Sequence, residues 1–271
     1  MTAIQRVIKY LAIALAIFLI FSIVSVIAEL GSGIFGFLLH KTNTTIVDTI
    51  LITEPIVDID IDLKYTSLDI KESDTPKVEI SNKDIKIDVK DNKLIINDST
   101  KKRFISSTRE TVNLYIPKNI FNEVTIKNGA GDLNIDSVIT DKLYLDLGVG
   151  KTTINYLKAN ESKIETGVGK LSIIDGELNN TNIDIGVGSA SIRALLTGDN
   201  TIDAGVGETK LELIGNKNDY KIKFNKGIGS IKYNNENVSD NSTIGDGNTM
   251  ISIDGGIGSF IVKTVTINSD F

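Results

Sequence analysis

The sequence predicts an all-β protein: a short single-stranded β-solenoid with 19-residue turns, preceded by a strand-rich portion and one N-terminal transmembrane helix. Three observations support this prediction. The 19 residues from Tyr10 to Ala28 carry no charge. From Ile46 onward, apolar and polar residues alternate with a period of two, as in half-buried strands. From Gly129 onward, a Gly-x-Gly motif recurs at a fixed spacing, which is typical of repeat architectures.

The uncharged segment is predicted to anchor the chain in a membrane. A helix over residues 10–28 would be roughly 28 Å long, which matches the hydrocarbon core of a bilayer. Arg6 and Lys9 precede it, so residues 1–9 are expected in the cytoplasm and the rest of the chain outside. The alternative is a signal peptide cleaved after Ala28, although its apolar run would be longer than usual.

Residues 29–45 are assigned to a juxtamembrane segment and residues 46–128 to an N-terminal β portion. This portion contains short alternating segments separated by Asn, Asp, Ser and Pro. Such segments predict strands joined by turns. They read IVDIDIDLKY, KVEIS, DIKIDV, KLIIN and TVNLYIP.

Residues 129–271 are predicted to form the solenoid. The glycine pairs are Gly129/Gly131, Gly148/Gly150, Gly167/Gly169, Gly186/Gly188 and Gly205/Gly207 at a spacing of 19, then Gly227/Gly229 after 22 and Gly256/Gly258 after 29. Each repeat is expected to be one turn stacked on the last at about 4.8 Å, the usual strand separation. Glycine is expected where the chain bends or passes close to a neighbour.

Three apolar columns are predicted to form the core. Counted from the first glycine, the second position is Ala130, Val149, Val168, Val187, Val206, Ile228 and Ile257; the seventh is Ile135, Ile154, Ile173, Ile192, Leu211, Tyr233 and Val262; the seventeenth is Leu145, Ile164, Ile183 and Ile202. The segment NENVSDNSTIGDGNTM (235–250) is expected to project as a hairpin or loop. The last segment, GSFIVKTVTI (258–267), is expected to close the open end of the stack.

These features resemble the bacterial putative-adhesin family of β-strand repeat domains, a domain of unknown function. The resemblance covers residues 46–265 and rests on the extended N-terminal strands, on LYIPKNIFNEVTIKNGAGDLNI (114–135) and on the serial Gly-x-Gly strands. The chain is also similar to the C-terminal domains of cell-envelope-stress regulators. The resemblance implies a solenoid-like β fold on the outer side of a bacterial membrane, and it supplies no catalytic residues.

One polar column is a candidate binding site. Two residues before each glycine pair stand Asp146, Glu165, Asp184 and Asp203, followed by Asn225 and Asp254. Strand alternation is expected to point this column outward. A solvated surface is one interpretation; a weak divalent-cation site at Asp146, Glu165, Asp184 and Asp203, or a contact with a basic partner, is the other. If calcium binds, the melting temperature should rise at millimolar calcium.

Two further charged segments are each interpreted either as ordinary solvated surface or as a binding site. Asp58, Asp60 and Asp62 are expected to share one face of their strand. The basic run KKRF at 101–104 is read as an ordinary loop or as a contact with anionic lipid or wall polymer.

Composition excludes several kinds of chemistry. The chain has no Cys, which removes disulfides and thiolate metal sites, and its one histidine, His40, lies beside the apolar segment. The net charge of −6 argues against nucleic-acid binding. The segment GVGKTT (148–153) imitates a phosphate-binding loop, but Leu145 stands where that motif needs glycine and no helix is expected to follow.

The sequence therefore predicts a non-enzymatic, membrane-anchored binding or scaffolding protein of the cell envelope, without a cofactor. Its expected partner is a protein, a cell-wall polymer or a second copy of itself. A regulator that senses envelope stress and acts on a partner membrane protein is the alternative. A carbohydrate-active β-helix enzyme is a further, less favoured one.

Overall fold

A computed structural model of the protein describes residues 45–98 and 110–266. The predicted tail, membrane helix and most of the juxtamembrane segment (residues 1–44) lie outside the described residues, as does the basic run at 101–104. Within the described ranges, no helix is long and apolar enough to cross a membrane.

The described residues form an all-β, solenoid-like structure whose strands belong to one continuous sheet. A single turn of 3-10 helix, Lys217–Asp219, interrupts the strands. The strands are β1 (Asp48–Leu51), β2 (Asp58–Leu63), β3 (Thr66–Glu72), β4 (Lys77–Ile80), β5 (Ile85–Lys90), β6 (Lys93–Asp98), β7 (Glu110–Ile116), β8 (Ile120–Ala130), β9 (Leu133–Asn179), β10 (Thr181–Thr197), β11 (Asp199–Ile214), β12 (Tyr220–Asn225), β13 (Ile228–Tyr233), β14 (Glu236–Asn237), β15 (Ser242–Ile244) and β16 (Thr249–Val265).

The 19-residue turn is confirmed by the pairing register. Parallel neighbours differ by 19 residues from β8 to β11: Ile120 pairs with Ile139, Ile164 with Ile183 and Ile183 with Ile202. β9 is 47 residues long because the chain stays hydrogen-bonded to the neighbouring turns through its corners. The segment 148–153 lies inside this strand, so no helix follows the phosphate-loop-like sequence.

The N-terminal β portion extends the same stack. β2 pairs in parallel with β8, and β3 with β9, so one further turn lies beside the first glycine pair. β6 and β7 then pair in parallel with β2 and β3. The antiparallel strands β5, β4 and β1 finish this end of the sheet.

The C-terminal end departs from sequence order, and the prediction that the segment 258–267 closes the stack is wrong. β16 lies between β11 and the pair β12 and β13, so Gly258 pairs with Gly207 on one side and with Gly229 on the other. Asn200 supports the insertion by donating from Nδ2 to the carbonyl oxygen of Met250 at 3.2 Å. The segment 235–250 contains β14 and β15, which pair antiparallel with β13 and β12.

Two of the three predicted core columns are confirmed. The seventh-position residues from Ile135 to Leu211, together with Val262, are buried, as are all four seventeenth-position residues. Tyr233 is half-buried and packs against the core. Burial of these branched side chains, each worth about 1.5–3 kcal/mol, supplies the main stabilisation of the stack.

The second-position column is not core, and this prediction is wrong. Val168, Val187 and Val206 are 45–51% exposed, and Ile228 reaches 73%. In β10 the inward positions are odd-numbered before the corner, as at Ile183, and even-numbered after it, as at Ile192. The chain thus changes parity at Gly-x-Gly, and the middle residue points away from the core.

The glycines permit this corner for two different reasons. A Cβ on the first glycine of a pair, such as Gly186, would overlap the carbonyl oxygen of Gly167 in the neighbouring turn. The second glycines meet the same obstacle and also have φ between +138° and +158°, which side chains rarely adopt. Close backbone stacking therefore requires glycine at both positions.

Candidate functional site

The acidic column runs along the outer surface, as predicted. Asp184 pairs in register with Glu165 on one side and with Asp203 on the other. Asp203 pairs with Asp254, since β16 is the next strand, and Asp254 pairs with Asn225. The five carboxylates from Asp146 to Asp254 are exposed or half-buried, so the outward orientation is confirmed.

Glu165 is neutralised locally and does not act as part of a free acidic set. Lys163 lies 2.7 Å from its Oε1, and the Tyr144 hydroxyl donates to its Oε2 at 2.7 Å. The bond from Lys163 is the main cause that lowers the pKa of Glu165, and the bond from Tyr144 is the second. The Lys163 ammonium also lies 5.8 Å from the centre of the Tyr144 ring.

Asp203 is the most perturbed member of the column. Partial burial, the largest cause, and the carboxylates of Asp254 and Asp184 on the neighbouring strands together raise its pKa to about 6. Asp254 is in turn held by Asn225, whose Nδ2 donates to Oδ1 at 2.5 Å. Three carboxylates thus lie side by side, and the middle one retains a proton at mildly acidic pH.

This raised pKa has a definite sign for stability. The unfolded chain binds a proton at Asp203 only below its ordinary pKa near 3.8, whereas the folded chain binds it below about 6. The proton-linked stability is therefore fully present below 3.8 and is lost as pH rises through 6.

The structure does not gather the proposed metal ligands around one point. Asp146, Glu165, Asp184 and Asp203 occupy four successive turns, and no group of three or more His, Asp or Glu side chains that could hold a metal ion occurs in residues 45–98 and 110–266. Cation binding by this column stays a prediction, and it would have to use carboxylates on neighbouring strands. Asp184, Asp203 and Asp254 are the adjacent carboxylates that would be tested first.

The second acidic segment belongs to the same outward face. Asp62 pairs with Lys127, and Lys127 pairs with Asp146, so Asp62 extends the acidic column by way of a lysine. Asp58 and Asp60 occupy the two neighbouring columns of this face. Sequence inspection missed this continuity because 65 residues separate the paired strands.

An open depression lies on this face, where acidic and basic side chains alternate around an aromatic ring. It is lined by Glu123, Lys142, Leu143, Tyr144, Glu161, Ser162, Lys163 and Asn180. These residues come from consecutive turns of β8 and β9 and from Asn180, which follows β9. Such a surface offers hydrogen bonds and a ring face to an extended ligand.

The second candidate surface is an apolar line at the Gly-x-Gly corners, which we call the corner ridge. In spatial order it consists of Tyr65, Ala130, Val149, Val168, Val187, Val206, Ile257 and Ile228. Tyr65 joins because the backbone N–H of Ala130 donates to the carbonyl of Lys64, so its corner aligns with the first glycine pair. Six of these side chains are 45–73% exposed.

Except at Tyr65, glycine backbone borders the corner ridge on both sides. Beyond the glycines, the first outward-facing side chains are charged on several turns. Lys151 and Lys170 lie on one side, and Asp146 and Glu165 lie on the other. Contiguous exposed apolar surface of this kind is typical of interaction sites.

One protein-family model matches most of the chain. The model of the Toastrack DUF4097 family matches residues 56–270. A search of curated proteins finds no match.

Three solved structures are similar to the chain. A "putative adhesin" from Bacteroides fragilis is 17% identical, with 81% of this chain and 98% of that one covered and a TM-score of 0.41. A "putative cell adhesion protein" from Clostridium sporogenes is 17% identical, with coverage of 80% and 98% and a TM-score of 0.34. A "putative adhesin" from Parabacteroides distasonis is 16% identical, with coverage of 80% and 95% and a TM-score of 0.33. From the family match, the chain belongs to the Toastrack DUF4097 family, a bacterial domain family of unknown function.

Proposed function

We propose that this chain is a non-enzymatic binding or scaffolding protein of the bacterial cell envelope, with its β domain outside the membrane. The observation that supports this most directly is the in-register outward face. Equivalent side chains recur on every turn at about the strand spacing of 4.8 Å. A repeating, open face suits an extended partner, such as a protein segment or a wall polymer.

The arrangement of the carboxylates supports a binding role over hydrolysis. Carboxylate-based glycoside hydrolysis needs two acids on opposite sides of a bound sugar ring. Here the acids follow one another along an open face, and Glu165 is held by Lys163 and Tyr144. The same side chains can donate and accept hydrogen bonds to a ligand without reacting with it.

The membrane anchor in this proposal rests on the sequence. Residues 10–28 are uncharged and long enough to span a bilayer, and the preceding Arg6 and Lys9 favour a cytoplasmic N-terminus. A single-pass protein with this orientation presents its β domain to the cell wall and to other envelope proteins.

The test is capture of a partner by the tagged full chain after chemical cross-linking in intact bacterial cells. Tyr144→Ser removes the ring at the centre of the depression, and Ile174→Ser is the matched control because Ile174 is exposed on a different part of the surface. We expect a cross-linked protein or wall fragment that is lost in Tyr144→Ser and kept in Ile174→Ser. Equal capture by both variants would refute a binding role for this face.

A second variant separates binding from regulation. Residues 10–28 are replaced by an unrelated apolar span of equal length. Under the binding proposal the partner is still captured, because recognition lies in the β domain. Loss of capture with the β domain intact would favour a regulator that acts through its helix.

A further inference from the structure

The corner ridge indicates a more specific partner for this chain. We propose that it is a self-association surface, on which a second copy of this chain packs side by side, parallel and in register, about a two-fold axis that runs along the ridge. This inference rests on the proposed function, since both copies are taken to be anchored in the same membrane.

The shape of the corner ridge suits a copy of itself. Each side chain of the ridge except Tyr65 stands between two glycines, which carry no side chain. Two such ridges, displaced sideways by one column, can place the apolar side chains of one copy over the glycine backbone of the other. Glycine columns allow this close approach, as small residues do wherever backbones pack together.

The charges beside the corner ridge select the parallel arrangement. A two-fold axis along the ridge brings the residues after the corner opposite those before the corner of the same turn in the second copy. Lys151 then faces Asp146, and Lys170 faces Glu165. Asp132 likewise faces Lys127, although Glu208 meets Asp203. Glu165 and Glu208 already pair with Lys163 and Lys210 of their own chain, so the opposite-charge contacts of Lys151 and Lys127 decide the balance on each side of the axis.

The antiparallel arrangement has no such excess of opposite-charge contacts. Here the two-fold axis is perpendicular to the ridge and crosses it between Val168 and Val187. It places Asp146 of one copy opposite Asp203 of the other, and Glu165 opposite Asp184. These are like-charge contacts at the centre of the interface. The contacts of Lys151 with Glu208 and of Lys127 with Asp254 have opposite charges, so the two kinds of contact balance and this arrangement gains no net advantage from charge.

The size of the corner ridge indicates where pairing occurs. Its eight residues on successive strands extend over seven steps of about 4.8 Å, or roughly 34 Å. A strip of that length and about 10 Å wide covers roughly 340 Å² per copy, less than the ~800 Å² of a stable interface. Anchoring in one membrane raises the effective concentration, so we expect dimers in the membrane and monomers in dilute solution.

The absence of cysteine from the sequence makes oxidative cross-linking of the full chain a clean test. In the parallel arrangement every ridge residue meets its own copy, so Val168→Cys, Val187→Cys and Val206→Cys each form disulfide-linked dimers in membranes. The matched control is Ser191→Cys, which is exposed on the same strand as Val187 but away from the corner. We expect at least a fivefold higher dimer yield at the ridge positions.

Charge exchange provides the second arm of the test. Lys151→Glu in the Val187→Cys background places like charges opposite Asp146, and the dimer yield should fall about threefold to tenfold. Adding Asp146→Lys recreates an opposite-charge pair and should restore the yield. A fall without restoration would overturn the parallel arrangement.

The outcomes for the two proposals can be told apart. Labelling of Ser191→Cys by a membrane-impermeant thiol reagent on intact cells reports whether the β domain lies outside. If it is labelled but ridge cysteines do not cross-link above the control, self-association is wrong and the envelope proposal stands. Dimers formed only by mixing Val168→Cys with Val187→Cys chains would show the antiparallel arrangement and overturn this inference.

Discussion

Replacement of one stacking glycine by alanine should destabilise the protein far more than replacement of its neighbour in sequence. Gly255 and Gly256 are adjacent in β16, and neither has a φ in the left-handed region. A Cβ on Gly256 would overlap the carbonyl oxygen of Gly205, which the sheet holds in place. A Cβ on Gly255 would lie 3.3 Å from the flexible end of Ile231.

The magnitudes follow from which neighbour can move. For Gly256→Ala the two turns must separate, which disrupts hydrogen bonds as well as packing, so we expect a loss of about 3 kcal/mol or more. For Gly129→Ala the nearest atom is the Lys64 carbonyl oxygen at 2.8 Å, and we expect about 1–2 kcal/mol. For Gly255→Ala the terminal methyl of Ile231 has to move by only a few tenths of an ångström, and we expect less than about 1 kcal/mol.

The assay is urea unfolding of the full chain, followed by the circular dichroism of its strands. All three variants replace glycine by alanine. Differences in their free energies of unfolding therefore report the atoms around each site and not the intrinsic effect of the alanine. The reasoning is refuted if Gly256→Ala unfolds at the same urea concentration as Gly255→Ala.

Three further predictions concern the acidic column, the strand order and the buried residue Tyr220. Asp203→Asn should stabilise the fold at pH 7 by on the order of 1–3 kcal/mol, with the gain shrinking towards pH 4; a gain that does not depend on pH would contradict the raised pKa. The pair Thr201→Cys and Ser252→Cys should form an intramolecular disulfide, because these residues pair on adjacent strands. Thr201→Cys with Lys223→Cys should not, since β16 lies between their strands. Reducing and non-reducing gels distinguish the two pairs, and a disulfide in the second pair alone would show that β11 and β12 are neighbours, as sequence order would place them. Tyr220→Phe should cost about 1–2 kcal/mol in urea unfolding, because the buried hydroxyl donates to a backbone carbonyl; an unchanged midpoint would mean that this bond contributes nothing.

The regular part of the fold was accessible from the sequence because the repeat spacing is the pairing register. A spacing of 19 in the glycines places Ile164, Ile183 and Ile202 above one another, and these residues are buried as predicted. The outward acidic column followed from strand alternation within the same repeats. Both inferences use only neighbours one turn apart.

The order of the last turns was not accessible, because spacing does not report which strand lies between two others. The glycine pairs at 227 and 256 follow at 22 and 29 residues, and a chain can reach either position beside β11 with linkers of that length. Only the pairing shows that Asp254, and not Asn225, is the neighbour of Asp203. The carboxylate group that raises the pKa of Asp203 therefore depends on the crossover.

The exposure of the corner ridge was missed for a different physical reason. Apolar character at a regular position is the usual sign of a core column, and strand alternation assigns Val187 the same side as Ile183. The turn at Gly186 and Gly188 reverses that alternation, and Gly188 reaches a φ of +139° that a strand does not use. Paired glycines around one apolar residue are the signal that could have indicated an outward corner.

The central claim is that the Gly-x-Gly corner presents its apolar residue to the outside. The most direct measurement is the free energy of unfolding of Val187→Lys, since lysine is tolerated on a surface and not in a core. With the side chain 49% exposed, the account predicts a change of less than about 1 kcal/mol. A loss of several kcal/mol, as expected for the buried neighbour Ile183, would show that the column is core and would remove the surface on which self-association rests.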